Sequence, residues 1–112
     1  MRFDLTTPCG DCPFLRRGGI RLRPARVREI AEPCLDEGGG ATFPCHVSAT
    51  ARGARRRLDW QHCAGALLFA LTHGVHTQAM QLAARLGLWD PARMKGHRRV
   101  FASLRAMLRT AL

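Results

Sequence analysis

Apolar residues recur at helical spacing in four stretches of the chain. Between Pro24 and Pro33, the residues Val27, Ile30 and Ala31 share one face, while Arg26, Arg28, Glu29 and Glu32 fall elsewhere. This predicts a short amphipathic helix of about two turns. Pro24 suits its first turn, and Pro33 cannot continue it. From Trp60 to Thr72 the pattern is apolar nearly all round, through Ala64, Ala66, Leu67, Leu68, Phe69, Ala70 and Leu71. A helix of that kind is the buried centre of a small domain. Asp59 is its expected N-cap, Gly74 its terminator, and Cys63 falls in its first turn. A third helix is expected from about Thr77 to Leu86, with Met80, Ala83, Ala84 and Leu86 on its apolar side and Gly87 stopping it. Asp90 and Pro91 open a brief turn that Gly96 ends. The last helix is expected from Arg98 to Ala111, with Val100, Phe101, Leu104, Met107, Leu108 and Leu112 in its stripe.

The remaining segments lack periodicity. Pro8, Gly10, Pro13, Gly18 and Gly19 make residues 1–20 an extended arm with a cysteine turn. Residues 36–40 read as a flexible loop. Pro44 biases Phe43 away from helix, so Cys45 belongs to a loop or short extended piece. Residues 47–58 read as a basic loop. At 112 residues the chain is one domain, 1–112, with no internal repeat. The expected fold is mainly α: a small single domain of about four helices with an irregular N-terminal cysteine arm folded around a metal or iron–sulfur centre. The arm and Phe43–His46 should fold over the start of the Cys63 helix, with the last two helices packed behind.

Cysteine spacing supplies the candidate chemistry. Cys9 and Cys12 form a Cys-x-x-Cys turn, which presents two thiolates to one centre. Cys45 and Cys63 complete a four-thiolate set, separated by 2, 32 and 17 residues along the chain. A zinc ribbon would show two such turns, or one turn and a His pair at short spacing. Iron–sulfur clusters draw on scattered cysteines, because the cuboidal cluster offers well-separated irons. Pro13 and Pro44 stiffen the loops beside Cys12 and Cys45. Phe14, Leu15, Phe43 and Trp60 are candidates for apolar cover. The preferred cofactor is therefore a [4Fe–4S] cluster, with zinc as the alternative. Cys34, the fifth cysteine, has no motif and reads as a small buried hydrophobe outside the set. His46 and His62 each adjoin a ligand cysteine, so both are expected to hydrogen-bond around the centre rather than ligate it. No third group orients a Cys–His pair, which argues against catalysis.

Charge adds a possible partner. The net charge is +10, and of the 18 basic residues only Lys95 is not Arg. Clustered Arg binds phosphate, so nucleic acid is one reading; a GC-rich genome that writes Arg at tolerated surface sites is the other. The candidate contacts are Arg16, Arg17, Arg21, Arg23, Arg52, Arg55, Arg56 and Arg57, which flank the cysteine loops. No aromatic residue alternates with them, so base stacking is not indicated. No apolar run reaches the ~20 residues of a membrane span, and the N-terminus lacks a signal-peptide apolar region. A cytoplasmic location is expected, where cysteine clusters more often bind metal than form disulfides.

Three motifs then occur in order: Pro8 to Phe14, Phe43 to His46, and Cys63 to Gly65 followed by apolar Ala66 to Leu71. In this the chain resembles a family of small bacterial and phage proteins of uncharacterised function. These carry Pro-Cys-x-x-Cys-Pro-Phe-Arg, Phe-x-Cys-His and Cys-Ala-Gly. The chain has Leu15 where the family often has Arg. The resemblance implies a shared cysteine-bound centre and no particular activity. The functional expectation is a non-catalytic [4Fe–4S] protein that binds nucleic acid or a nucleic-acid-handling partner. Two alternatives are a small redox protein or sensor, in which the cluster is the functional group, and a zinc-stapled adaptor.

Overall fold

A computed structural model describes residues 1–40, 42–45 and 60–112, and four α-helices lie among them. They are α1 (Pro24–Ala31), α2 (Ala64–Thr72), α3 (Gln78–Arg85) and α4 (Leu104–Arg109), with 3-10 turns at Glu32–Leu35 and Pro91–Arg93. The fold is mainly α, and the described residues form isolated β-bridges but no strand. No helix among them is long and apolar enough to cross a membrane.

α1 forms as its pattern predicts. Pro24 lies in its first turn, and Val27, Ile30 and Ala31 are its buried residues. Pro33 does not end the spiral abruptly; the chain tightens into the following 3-10 turn, which tolerates it. α2 is the centre of the molecule. Every residue from Ala64 to Ala70 is buried. Leu67, Leu68 and Phe69 are among the largest fully enclosed side chains, together with Phe14 and Met80. Each such side chain contributes roughly 1.5–3 kcal/mol by leaving water. α1 packs against α4, and the turn after α1 packs against α2. α3 starts where Thr77 Oγ1 accepts the Met80 N–H at 3.4 Å, and Gly87 leaves it at φ +71°. Only Met80 and Ala83 are buried in α3. Ala84 and Leu86, expected on the apolar side, are exposed.

Two expected helix starts move, for one reason. The helix expected from Trp60 begins at Ala64, because residues 60–63 pair with distant backbone instead. Arg2 N–H donates to Trp60 O and His62 N–H to Arg2 O, each at 2.7 Å. On the other side, Cys45 N–H donates to Gln61 O at 2.7 Å and Cys63 N–H to Phe43 O at 2.8 Å. Residues 60–63 thus run between the arm and the 43–45 segment. The N-cap is Cys63, and the expected cap Asp59 lies outside the described residues. Likewise the helix expected from Arg98 begins at Leu104, where Ser103 Oγ accepts the Ala106 N–H at 3.1 Å. Before it, Arg16 N–H donates to Arg99 O and Phe101 N–H to Phe14 O, both at 2.9 Å. Leu15 and Val100 face each other across this antiparallel bridge. Val100 and Phe101 are buried there in extended conformation, and Leu112, expected in the stripe, is exposed.

Candidate metal centre

The Cys9–Cys12 turn is closed by its own backbone. Cys12 N–H donates to Cys9 O and Leu15 N–H to Cys12 O, each at 3.1 Å. Ile20 N–H returns to Asp11 O at 3.2 Å, folding residues 17–20 back over the turn. Gly19 lies against the Cys12 carbonyl where a Cβ would collide. Cys45 and Cys63 arrive by the pairing described above, on adjacent extended segments. Three separate stretches of chain therefore deliver the four cysteines of the set.

The thiols meet in two pairs. Cys12 and Cys63 Sγ are 3.6 Å apart, and Cys9 hydrogen-bonds Cys45. Cys63 also feels the charge of Cys45, and Cys9 that of Cys12, so the pairs are electrostatically joined. Cys12, Cys45 and Cys63 are buried, and Cys9 is partly exposed. Among the described residues, no three His, Cys, Asp or Glu side chains lie close enough together to hold one metal ion.

Backbone N–H groups are aimed at the sulfurs. Cys12 receives those of Phe14, Gly65 and Leu15, Cys63 that of Ala66, and Cys9 that of Asp11. The Cys63 hydrogen bond, helped by these amides against the cost of burial, lowers the Cys12 thiol below its usual range. Cys63 is raised well above it, first by the Cys12 hydrogen bond and then by burial. The opposite shifts are the two sides of one thiol–thiol hydrogen bond. Two of the donating amides, Gly65 and Ala66, belong to the first turn of α2, where the helix dipole favours negative charge. Gly65 is required by this geometry, since a Cβ there would run into Cys12 Sγ. The donor set suits a thiolate-bound centre: soft sulfur ligands, amide donors and a glycine cradle.

His62 is buried and holds the chain beside the thiols. Its Nδ1 pairs with Cys63 O at 3.1 Å, and its ring stacks on Phe3 with centroids 5.3 Å apart. Burial lowers its pKa to about 4, so the ring is neutral near pH 7. Its Nε2 accepts the Phe43 N–H at 3.5 Å, so both ring nitrogens bond to backbone. His46 lies outside the described residues. Phe14 is fully enclosed, with Phe43 edge-on at 6.0 Å and Phe69 at 5.3 Å. Cys34 is elsewhere, donating its S–H to Ile30 O at 3.4 Å, and burial pushes its thiol up to about 12.

Of the candidate phosphate contacts, Arg16, Arg17 and Arg23 are exposed. Arg21 is half-buried, and its guanidinium donates to Leu15 O at 3.0 Å and Arg16 O at 2.8 Å. It also lies over the Phe101 ring, so Arg21 fixes the loop after the cysteine turn. Arg52, Arg55, Arg56 and Arg57 lie outside the described residues. Sequence reasoning missed Gly65 as a steric requirement. The signal was present as Cys-Ala-Gly at a helix start, but the sulfur that excludes a side chain there comes from 53 positions earlier.

No curated protein and no solved structure matches the chain. A family of unknown function, DUF6283, matches residues 4–111. That span takes in the cysteine turn, both later cysteines and α4, and the chain belongs to this family.

Proposed function

We propose that this protein is a small, non-catalytic [4Fe–4S] protein that binds nucleic acid, or a nucleic-acid-handling partner, through its arginine-rich surface. Cys9, Cys12, Cys45 and Cys63 hold the cluster. The observation that carries this reading is the pairing of Cys12 with Cys63 and of Cys9 with Cys45, from three chain segments, with backbone N–H groups directed at Cys9, Cys12 and Cys63. Buried thiolates are costly without positive partners, and a bound cationic centre supplies them. When bound, the cluster neutralises the thiolates and provides a one-electron couple. The chain positions the sulfurs through the Gln61 and Phe43 pairings and shields them with Phe14 and Phe43.

Zinc is the second reading. The 3.6 Å separation of Cys12 and Cys63 is close to the edge of a zinc–thiolate tetrahedron, about 3.8 Å for bonds of about 2.3 Å. Anaerobic purification followed by absorbance, iron, sulfide and zinc analysis separates the two. The expected result is a brown protein with broad absorbance at about 400 nm and iron matched by sulfide. A colourless protein with one zinc per chain from iron-replete, oxygen-free cells overturns the cluster.

A further inference from the structure

Each sulfur of the Cys9–Cys12 turn meets a partner from a distant segment of the chain. Cys12 Sγ lies 3.6 Å from Cys63 Sγ, 51 positions away. Cys9 hydrogen-bonds Cys45, 36 positions away, whereas Cys12 acts on it through charge. Backbone pairing holds both contacts in place. Cys12 N–H is bonded to Cys9 O at 3.1 Å, Cys45 N–H to Gln61 O at 2.7 Å and Cys63 N–H to Phe43 O at 2.8 Å. Gly65 leaves room for the inner contact, since a Cβ there would run into Cys12 Sγ and stand 3.6 Å from Cys63 Sγ. The two contacts differ in access. Cys12 and Cys63 are 2% and 4% exposed. Cys9 is partly exposed, so a small oxidant from solvent meets it first. A disulfide places its sulfurs about 2.05 Å apart. From 3.6 Å the inner pair closes with about 1.5 Å of movement, shared between two side chains.

From this pairing we infer a thiol switch: when the four cysteines hold no metal, hydrogen peroxide closes the disulfides Cys9–Cys45 and Cys12–Cys63, across chain segments, and leaves Cys9 and Cys12 unbridged to each other. At the outer pair the Cys9 thiolate attacks the peroxide O–O bond, becomes a sulfenic acid and releases hydroxide, which takes up the thiol proton as water. The Cys45 sulfur then attacks Cys9 Sγ, and the sulfenic oxygen leaves with the Cys45 proton as a second water. Two thiols and one peroxide thus give one disulfide and two waters, with two electrons passing from sulfur to oxygen. The inner pair consumes a second peroxide in the same way, more slowly because both sulfurs are buried. The placing of the bridges decides their effect. A Cys9–Cys12 bridge closes a very short loop and barely restricts the unfolded chain. The crossed bridges span 36 and 51 positions and restrict it far more. They tie the N-terminal arm to the 43–45 segment and to the start of α2, so the oxidised protein keeps its fold without metal. A dithiol reductant returns the four thiols for loading. The inference goes beyond the cluster reading and holds for iron or zinc alike, since it concerns what the same sulfurs do once metal has left.

The test uses the purified full-length protein as isolated, after its iron, sulfide and zinc have been measured. It is treated while folded with a small excess of hydrogen peroxide and a metal chelator. Remaining thiols are then blocked with N-ethylmaleimide during unfolding at mildly acid pH, which suppresses exchange. Cleavage before Asp11, Asp36 and Asp59 and after Arg16 puts the five cysteines on separate peptides. Mass spectrometry should find the Cys9 peptide joined to that of Cys45, the Cys12 peptide joined to that of Cys63, and Cys34 carrying the label. The thermal midpoint of the oxidised protein should lie about 10 °C or more above that of the reduced, metal-free chain. Dithiothreitol should abolish both results. A main product that bridges Cys9 to Cys12, bridges to Cys34 or between molecules, or sulfinic acid at Cys9 without a bridge overturns the switch. A midpoint no higher than that of the reduced chain does the same. Crossed bridges in a protein isolated with zinc, or without iron and sulfide, keep the switch and remove the cluster. An iron–sulfide protein that yields the Cys9–Cys12 bridge keeps the cluster and removes the switch.

Discussion

Cys12 and Cys34 lie in the same core, 2% and 7% exposed, and their sulfurs are held in opposite states. Cys34 finds a carbonyl, Ile30 O, and serves as a donor. Burial then acts unopposed and pushes its thiol up to about 12. Cys12 finds a partner thiol and the amides of Phe14, Gly65 and Leu15, and these outweigh the same burial. Depth in the core does not decide what a cysteine can do. The decisive difference is what meets the sulfur: the Cys63 thiol first and backbone N–H groups after it at Cys12, and burial alone at Cys34. A Cys-x-x-Cys turn and a helix N-terminus offer N–H. The last turn of α1, where Ile30 lies, offers its carbonyls.

The largest test of this contrast is replacement. C12S and C63S should lose the bound metal and the cooperative unfolding transition, read by metal analysis and calorimetry. C34S should keep both and lose about 1 kcal/mol of stability. Equal metal content in C12S and native protein breaks the comparison outright. Alkali sharpens it next. The folded pKa of Cys34 is about 12, above the ordinary thiol value of 9.0, so between these values the unfolded chain has released a proton that the folded chain retains. The stabilisation is complete below pH 9 and declines as pH rises toward 12, at about 1.4 kcal/mol per pH unit. Urea unfolding across pH 9–11 should show this slope in the native protein and lack it in C34A. A smaller effect is expected at Gly65. G65A places a methyl against Cys12 Sγ and should cost about 1–3 kcal/mol by overpacking, with weaker metal retention and no change in Cys34 reactivity. The smallest concerns modification: at pH 8 and without denaturant, Cys34 should resist iodoacetamide on a timescale that labels metal-free Cys9, as peptide mapping would show.

The parts of this fold that local pattern encodes were legible. α1, α3, the Asp90–Pro91 turn and the buried character of residues 64–70 follow from apolar spacing, caps and prolines. The four candidate cysteines stand out in the sequence by type and spacing, but their arrangement in two pairs does not. What local pattern does not carry is pairing between distant segments. Trp60, Gln61 and His62 continue the α2 pattern acceptably, yet their backbone is committed to Arg2 and Cys45. Arg98 to Phe101 likewise fit a helical stripe, but Arg98 and Arg99 lie in a turn closed onto Gly96 O, and Val100 and Phe101 pair with Phe14 to Arg16. Leu82 and Leu86 show the converse. Both are exposed, because α3 buries only its Met80 and Ala83 side. The role of Gly65 was hidden for a related reason, since the atom that forbids its side chain arrives through tertiary structure.

The Leu15–Val100 bridge also bears on the order in which the molecule is built. The cysteine turn is completed by residues that leave the ribosome long after it, since Arg16 and Phe14 bond to Arg99 and Phe101. Cys9 and Cys12 therefore emerge early, and their turn waits through most of synthesis for Arg99 and Phe101. Contacts of this separation are slow to close and leave intermediates exposed. Two thiols in that interval are open to premature oxidation or to stray metal, and the proposed centre would be loaded among the last events in maturation.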